Sequence, residues 1–178
     1  MDSDEYMDEE DRIAHEQDAE ETVLTAEVFK RKIRSLDLPK PLCVSADTTL
    51  IEVVKKMKAR KVGSLLVVTD KGKVEGIFTE RDLLNRVLGV VDDLNSAKVV
   101  DYMTPNPNTL LKDDMICFAL HDMHMGVYRN IPILNEDGTP YAMLNIQSFL
   151  DFILDYFPQE ITNILSEPFR GERQAESA

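Results

Sequence analysis

The stretch GIFTERD, Gly76–Asp82, decides how this chain reads. Val74 to Phe78 is a short, largely apolar run of the kind that forms a buried strand. It stops at Thr79, and three residues later stands Asp82. Thr-x-x-Asp is a pattern in which a hydroxyl and a carboxylate close over the first turn of a helix. Glu80, Arg81, Leu83, Leu84, Val87 and Leu88 continue it with helical spacing. The stretch is a strand that feeds directly into a capped helix.

Upstream, Asp70-Lys71-Gly72-Lys73 reads as a hairpin turn, with Gly supplying the left-handed position. A strand over 64–69 precedes it. Before that, Leu50, Val53, Val54 and Met57 recur three and four apart, which predicts an amphipathic helix capped at Asp47. A short strand over 42–45 opens the unit, after Pro39-Lys40-Pro41. The order is β-α-β-β-α.

The same unit occurs twice. Shifted by 66 positions, Pro39 meets Pro105, Pro41 meets Pro107, Asp47 meets Asp113 and Met57 meets Met123. Gly72 meets Gly138, Phe78 meets Leu144, and Leu84 meets Leu150, without a gap between Pro39 and Leu154. The second copy has strands over 108–111, 130–134 and 141–144. Its helix carries Ile116, Ala119, Leu120 and Met123 as the apolar stripe, and its turn is Glu136-Asp137-Gly138-Thr139. A unit of about 55 residues is marginal alone; two that bury their sheets against each other are not. The fold class is therefore α/β: two β-α-β-β-α repeats related by a pseudo-twofold, with residue n over residue n + 66 and an extra N-terminal helix. The segments are an acidic tail (1–22), the helix (23–36), repeat 1 (37–93), repeat 2 (97–157) and a C-terminal extension (158–178). The helix is expected over 25–36, with Val28, Phe29, Ile33 and Leu36 on one side. Pro158 is expected to end the last helix, 159–165 to add a turn, and 172–178 to be loose.

Charge is concentrated at the front. Residues 1–22 hold 11 acids against Arg12, a net −10 of the chain's −13, and such a segment is expected to be disordered. The remainder is nearly neutral. Lys30-Arg31-Lys32 and Lys55-Lys56 read as solvated helix faces, so a nucleic-acid partner is not expected. No stretch approaches the ~18 apolar residues of a membrane span. With no signal peptide evident and with Cys43 and Cys117 as two lone cysteines, the reading is a cytoplasmic protein.

The P-x-P entries, SLLVV before a Gly turn, GIFTERD, the VVDYMTPNP that opens the second copy, and its YRNIPIL together resemble a tandem CBS-domain pair, or Bateman module, over about residues 36–156. The resemblance implies a disc with two clefts that bind adenosine-containing ligands (AMP, ADP, ATP or related), and a homodimer of discs. It implies ligand-binding residues Thr79, Asp82, Arg129, Val44 and Arg81. Thr79 lies where helix N–H groups favour a phosphate. Asp82, one turn in, can accept from two adjacent ribose hydroxyls. Thr-x-x-Asp is equally a helix cap, and the two uses do not exclude each other. In the second copy Ala142, Asn145 and Ser148 replace Gly76, Thr79 and Asp82, so no carboxylate is present and one site per chain is expected. Arg129 is read as lying on the second copy's middle strand. There it either reaches phosphate in the Thr79/Asp82 cleft or is a surface Arg paired with an acid.

His121 and His124 share a helix face, but Leu120 and Met123 are read as the buried stripe beside them, so metal is the weaker reading. A helix start explains Asp113-Asp114 without paired catalytic acids. No Ser/His/Asp or Cys/His arrangement and no Gly-rich phosphate loop is evident. The chain thus reads as a stand-alone regulatory module, not an enzyme, with no required cofactor. It senses an adenine nucleotide and signals to a protein target. The alternative is a dimeric scaffold of the same fold without ligand.

Overall fold

The computed structural model describes residues 26–126 and 128–155; the expectations for residues 1–22 and 158–178 lie outside that range. Ala26–Phe152 form one compact unit, and of a second only Ile153–Asp155 is described. The chain runs α1 (Ala26–Phe29), a 3-10 turn (Ile33–Ser35), β1 (Cys43–Ser45), α2 (Leu50–Arg60), β2 (Ser64–Val68) and β3 (Val74–Thr79). Then come α3 (Glu80–Asp82), which widens into a π-helix over Leu83–Val87, a 3-10 turn (Val99–Asp101), β4 (Thr104–Pro105) and β5 (Leu110–Leu111). α4 (Ile116–Gly126), β6 (Asn130–Leu134), β7 (Pro140–Asn145) and α5 (Ile146–Leu154) complete it.

One sheet has the order β1-β2-β3-β4 and the other β5-β6-β7. In each, the first strand is parallel to the second and the second antiparallel to the third. The bulge falls at Val67/Val68 in one and at Ile133/Leu134 in the other, 66 residues apart. Gly72 (φ 75°) and Gly138 (φ 82°) occupy the left-handed turn positions. Phe78 and Leu144 are both fully buried, as a shared environment requires.

The offset extends into the backbone hydrogen bonds that tie the copies together. Ile33 N–H donates to the Asp114 carbonyl at 2.9 Å, and 66 residues on, Val99 N–H donates to the Thr48 carbonyl at 2.9 Å. Ile116 N–H bonds the Arg31 carbonyl at 3.0 Å, and Leu50 N–H the Ala97 carbonyl at 2.9 Å. Lys32 bridges Met115, and Thr49 bridges Lys98. Further along, β4 pairs with β3, while Met143 N–H on β7 bonds the Pro39 carbonyl. Each copy is thus completed by the segment that enters the other, a reciprocal exchange that expresses the pseudo-twofold. Between the sheets Leu66 and Ile77 pack on Met143. Val74 N–H also bonds the Gly138 carbonyl across the copies. Its symmetry counterpart cannot form, because Pro140 has no N–H.

This exchange corrects two expectations. The helix expected over 25–36 breaks after Phe29, because Arg31 and Lys32 turn their backbone to Ile116 and Met115. Asp47 and Asp113 are not helix caps. Thr49 precedes α2 in extended conformation, and Asp47 instead pairs with Lys98, whose ammonium pKa it raises by hydrogen bond and charge. Asp113 pairs with Arg34 at 2.9 Å. Both acids therefore tether an exchanged segment. Leu120, expected in the buried stripe, is 42% exposed; Ile116, Ala119 and Met123 carry the core face.

Candidate functional site

Thr79 ends β3 in extended conformation and caps α3. Its hydroxyl accepts from Asp82 N–H at 3.2 Å, and Thr79 N–H donates to Asp82 Oδ2 at 3.0 Å. The Thr79 hydroxyl also donates to Oδ2 at 2.7 Å. The cap read from Thr-x-x-Asp is a full capping box.

The other carboxylate oxygen looks elsewhere. Asp82 Oδ1 accepts from the Thr104 hydroxyl at 3.3 Å and faces Arg86 Nη1 at 3.5 Å. Arg86 Nη1 in turn donates to the carbonyls of Met103 at 2.9 Å and Tyr102 at 3.2 Å. Asp82 is only 8% exposed, so it fastens the helix start to the 102–104 segment from inside the fold. Arg86 and Thr104 were missed in the sequence. The signal available was the repeat itself: at 66 residues' offset, Asp82, Arg86 and Thr104 become Ser148, Phe152 and Leu38. The second copy replaces the whole polar triad. There Asn145 Oδ1 accepts from Ser148 N–H at 2.9 Å and from its hydroxyl at 3.2 Å, which is a cap without a carboxylate. Phe152 stacks edge-on against Phe29 and Phe149.

The geometry narrows what Asp82 can do. Oδ2 already accepts two hydrogen bonds, which fills its lone pairs. Oδ1, with two long contacts, is the oxygen with acceptor capacity. Two ribose hydroxyls therefore cannot share both oxygens unless the cap opens. Of the first-turn N–H groups, Glu80's is taken by the Gly63 carbonyl at 3.0 Å and Asp82's by Thr79. The Arg81 N–H and the exposed Arg81 side chain remain to meet an anion.

Two expected ligand residues stand apart from this cluster. Val44 is buried in the core of the first copy with Leu50, Val53, Leu65 and Phe78, because β1 alternates and Val44 is its inward residue. Arg129 precedes β6 instead of lying on it, and is exposed. Its carbonyl accepts from Ile146 N–H at 3.2 Å, which places it at the Asn145 helix start; among the described residues no contact joins it to Thr79 or Asp82. His121 and His124 are exposed, and no cluster of three or more metal-ligating side chains occurs among the described residues. Among them, too, no helix is long and apolar enough to cross a membrane.

Gly76 is set by the same segment. A Cβ there would lie 2.2 Å from Met103 Sδ. The second copy has Ala142, and Asp37 stands where Met103 would be, so the glycine goes with the methionine.

A family model described as CBS domain matches twice, at residues 33–89 and 99–155. A CBS domain-containing protein of Arabidopsis thaliana, CBSCBSPB5, is 35% identical over 121 residues, which are 68% of this chain and 22% of that protein. The chain thus spans about a fifth of the length of this curated relative. A crystal structure of an uncharacterized conserved protein from Pyrococcus horikoshii is 28% identical with a TM-score of 0.63, covering 70% of this chain and 93% of that one. A CBS domain protein from Pyrobaculum aerophilum, complexed with AMP, matches with a TM-score of 0.63 at 20% identity, covering 72% and 99%.

Proposed function

Because this chain belongs to the CBS-domain family, carrying the domain as a tandem pair, we propose that it is a regulatory module that senses one adenine nucleotide per chain at the start of α3. The carrying observation is the triad of Asp82, Arg86 and Thr104, present in one copy and replaced in the other by side chains that still cap and pack. Folding needs only the neutral cap. The carboxylate, guanidinium and second hydroxyl exceed that need. Asp82 Oδ1 accepts a ribose hydroxyl, and Arg81 meets the phosphate. Val44 serves only as core beneath the site, and Arg129 belongs to the second copy's helix start. An AMP complex in a neighbour of the same fold supports the ligand class.

The ligand must compete with Thr104 and Arg86 for Oδ1. Binding therefore loosens the 102–104 segment that joins the copies, which is how occupancy is passed to a target. The module acts without catalysis or a required cofactor, in the cytoplasm and as a homodimer. Leu84 and Leu150, equivalent by the offset and both exposed, supply matching apolar points for the dimer contact. A melting screen against AMP, ADP, ATP, adenosine and S-adenosylmethionine tests the reading. At ~100 times Kd, linkage gives about 2.7 kcal/mol, a shift of roughly 5–10 °C for this chain length. A flat screen leaves the ligand-free scaffold.

A further inference from the structure

We infer that the outer face of α2 in the first copy is a docking site for an acidic peptide segment that carries an apolar anchor side chain. A cavity of about 330 Å³ opens between the second half of α2 and the start of α3, with Val54, Met57, Val62 and Leu83 as walls and Lys58, Lys61 and Glu80 at its sides. Its walls suit a branched or aromatic anchor withdrawn from water. Around it stand Lys55, Lys56, Lys58, Arg60 and Lys61, a dense cationic run in a chain of net charge −13. None of them is in an ion pair among the described residues.

Cations in a last helical turn complement the helix dipole, so this run has an ordinary structural explanation. The repeat tests that explanation. At the same five positions the second copy has His121, Asp122, His124, Gly126 and Val127, without one Lys or Arg. α4 nevertheless forms with the same eleven residues as α2. The helix does not require the cations, and neither does the pseudo-symmetric fold.

Their chemistry selects the occupant. The sign calls for an acidic partner. A nucleic acid fits less well: no aromatic ring lines the cavity for base stacking, and Glu80 sits within it. A second copy meeting this face through a twofold axis would set cations against cations. The site is independent of the nucleotide reading, because its groups are not those that touch Asp82.

The test uses the full chain and a fluorescein-labelled peptide with acidic residues on both sides of a central Leu-Phe pair, followed by anisotropy at about 0.05 M and about 0.3 M salt. Saturable binding is expected, weakened by at least about tenfold in K55Q/K58Q/K61Q and with a Gly-Gly peptide, and weakened by salt. These lysines are exposed, so the melting point should hold; if the triple variant does not fold, the single variants K58Q and K61Q report the same loss. Unchanged affinity in the Gln variants overturns the proposal. So does equal binding of a peptide with Lys in place of its acids, or tighter binding of a single-stranded RNA of equal charge. Self-association of the chain that the Gln variant abolishes would assign the face to a second copy instead.

Discussion

Gly76→Ala adds one methyl group at the point where the two copies' exchanged segment meets the site. Gly76 pairs with Pro105 across β3 and β4, and its φ is not in the left-handed region, so alanine carries no backbone strain. The cost is steric. The new Cβ would stand 2.2 Å from Met103 Sδ, 2.9 Å from Cε and 3.0 Å from Cγ, and Met103 is buried. Met103 must leave its rotamer or β4 must move, which costs about 1–3 kcal/mol. That is a fall of about 2–10 °C in melting point for a chain of this size. Met103→Ala alone empties the place and costs about 2–5 kcal/mol. In that background Gly76→Ala should cost nothing, because its methyl group enters the vacated space. Urea denaturation of the four proteins gives the cycle, with an expected coupling of at least about 1 kcal/mol. Ala142→Gly, the mirrored change, should cost only about 0.5–1 kcal/mol of backbone entropy. If Gly76→Ala is as stable as the wild type, or if Met103→Ala does not rescue it, the packing of the 102–105 segment against β3 is wrong.

Phe78→Ala and Leu144→Ala should each destabilise by about 3–5 and 2–5 kcal/mol respectively, since both side chains are fully buried at equivalent positions; a large cost in one copy and none in the other, by calorimetry, would contradict the pseudo-twofold. Arg86→Ala should cost about 1–2 kcal/mol, a figure discounted because the guanidinium is 47% exposed, and should speed hydrogen exchange in the adjoining 102–104 segment; an unchanged exchange rate would mean Arg86 does not clamp it. The Thr139 hydroxyl and N–H hold the Asp137 carboxyl below its ordinary 3.8. A depressed folded pKa adds stability that is present above the unfolded value and lost as pH falls through the folded one. The advantage of wild type over Asp137→Asn should therefore shrink between about pH 5 and about pH 2, and an advantage that grows on acidification would refute this.

Periodicity and the constant offset made the two β-α-β-β-α units legible, because strand alternation, helix spacing and Gly turns are local signals. The exchange of entry segments was not legible. Arg31, Lys32 and Ile33 carry a helical apolar pattern, and only their distant partners Asp114, Met115 and Ile116 pull them out of a helix. The same distance hid the partners of Asp47 and Asp113, whose position before a helix imitates a cap. Thr79 and Asp82 were legible as a pair, since three residues separate them. Arg86 and Thr104 were not, although the loss of both with Asp82 in the second copy was available in the sequence. Val44 was assigned to the ligand by resemblance, while strand alternation already pointed it into the core.

Titration calorimetry of AMP into the full chain, the Asp82→Asn variant and the Ser148→Ala variant tests the central claim. The account predicts one AMP per chain for the wild type and for Ser148→Ala. For Asp82→Asn it predicts at least about a tenfold loss of affinity, the size of a lost charge-assisted hydrogen bond. Two equivalent sites per chain, or binding that Asp82→Asn leaves intact while Ser148→Ala removes it, would contradict the assignment of the site to the first copy.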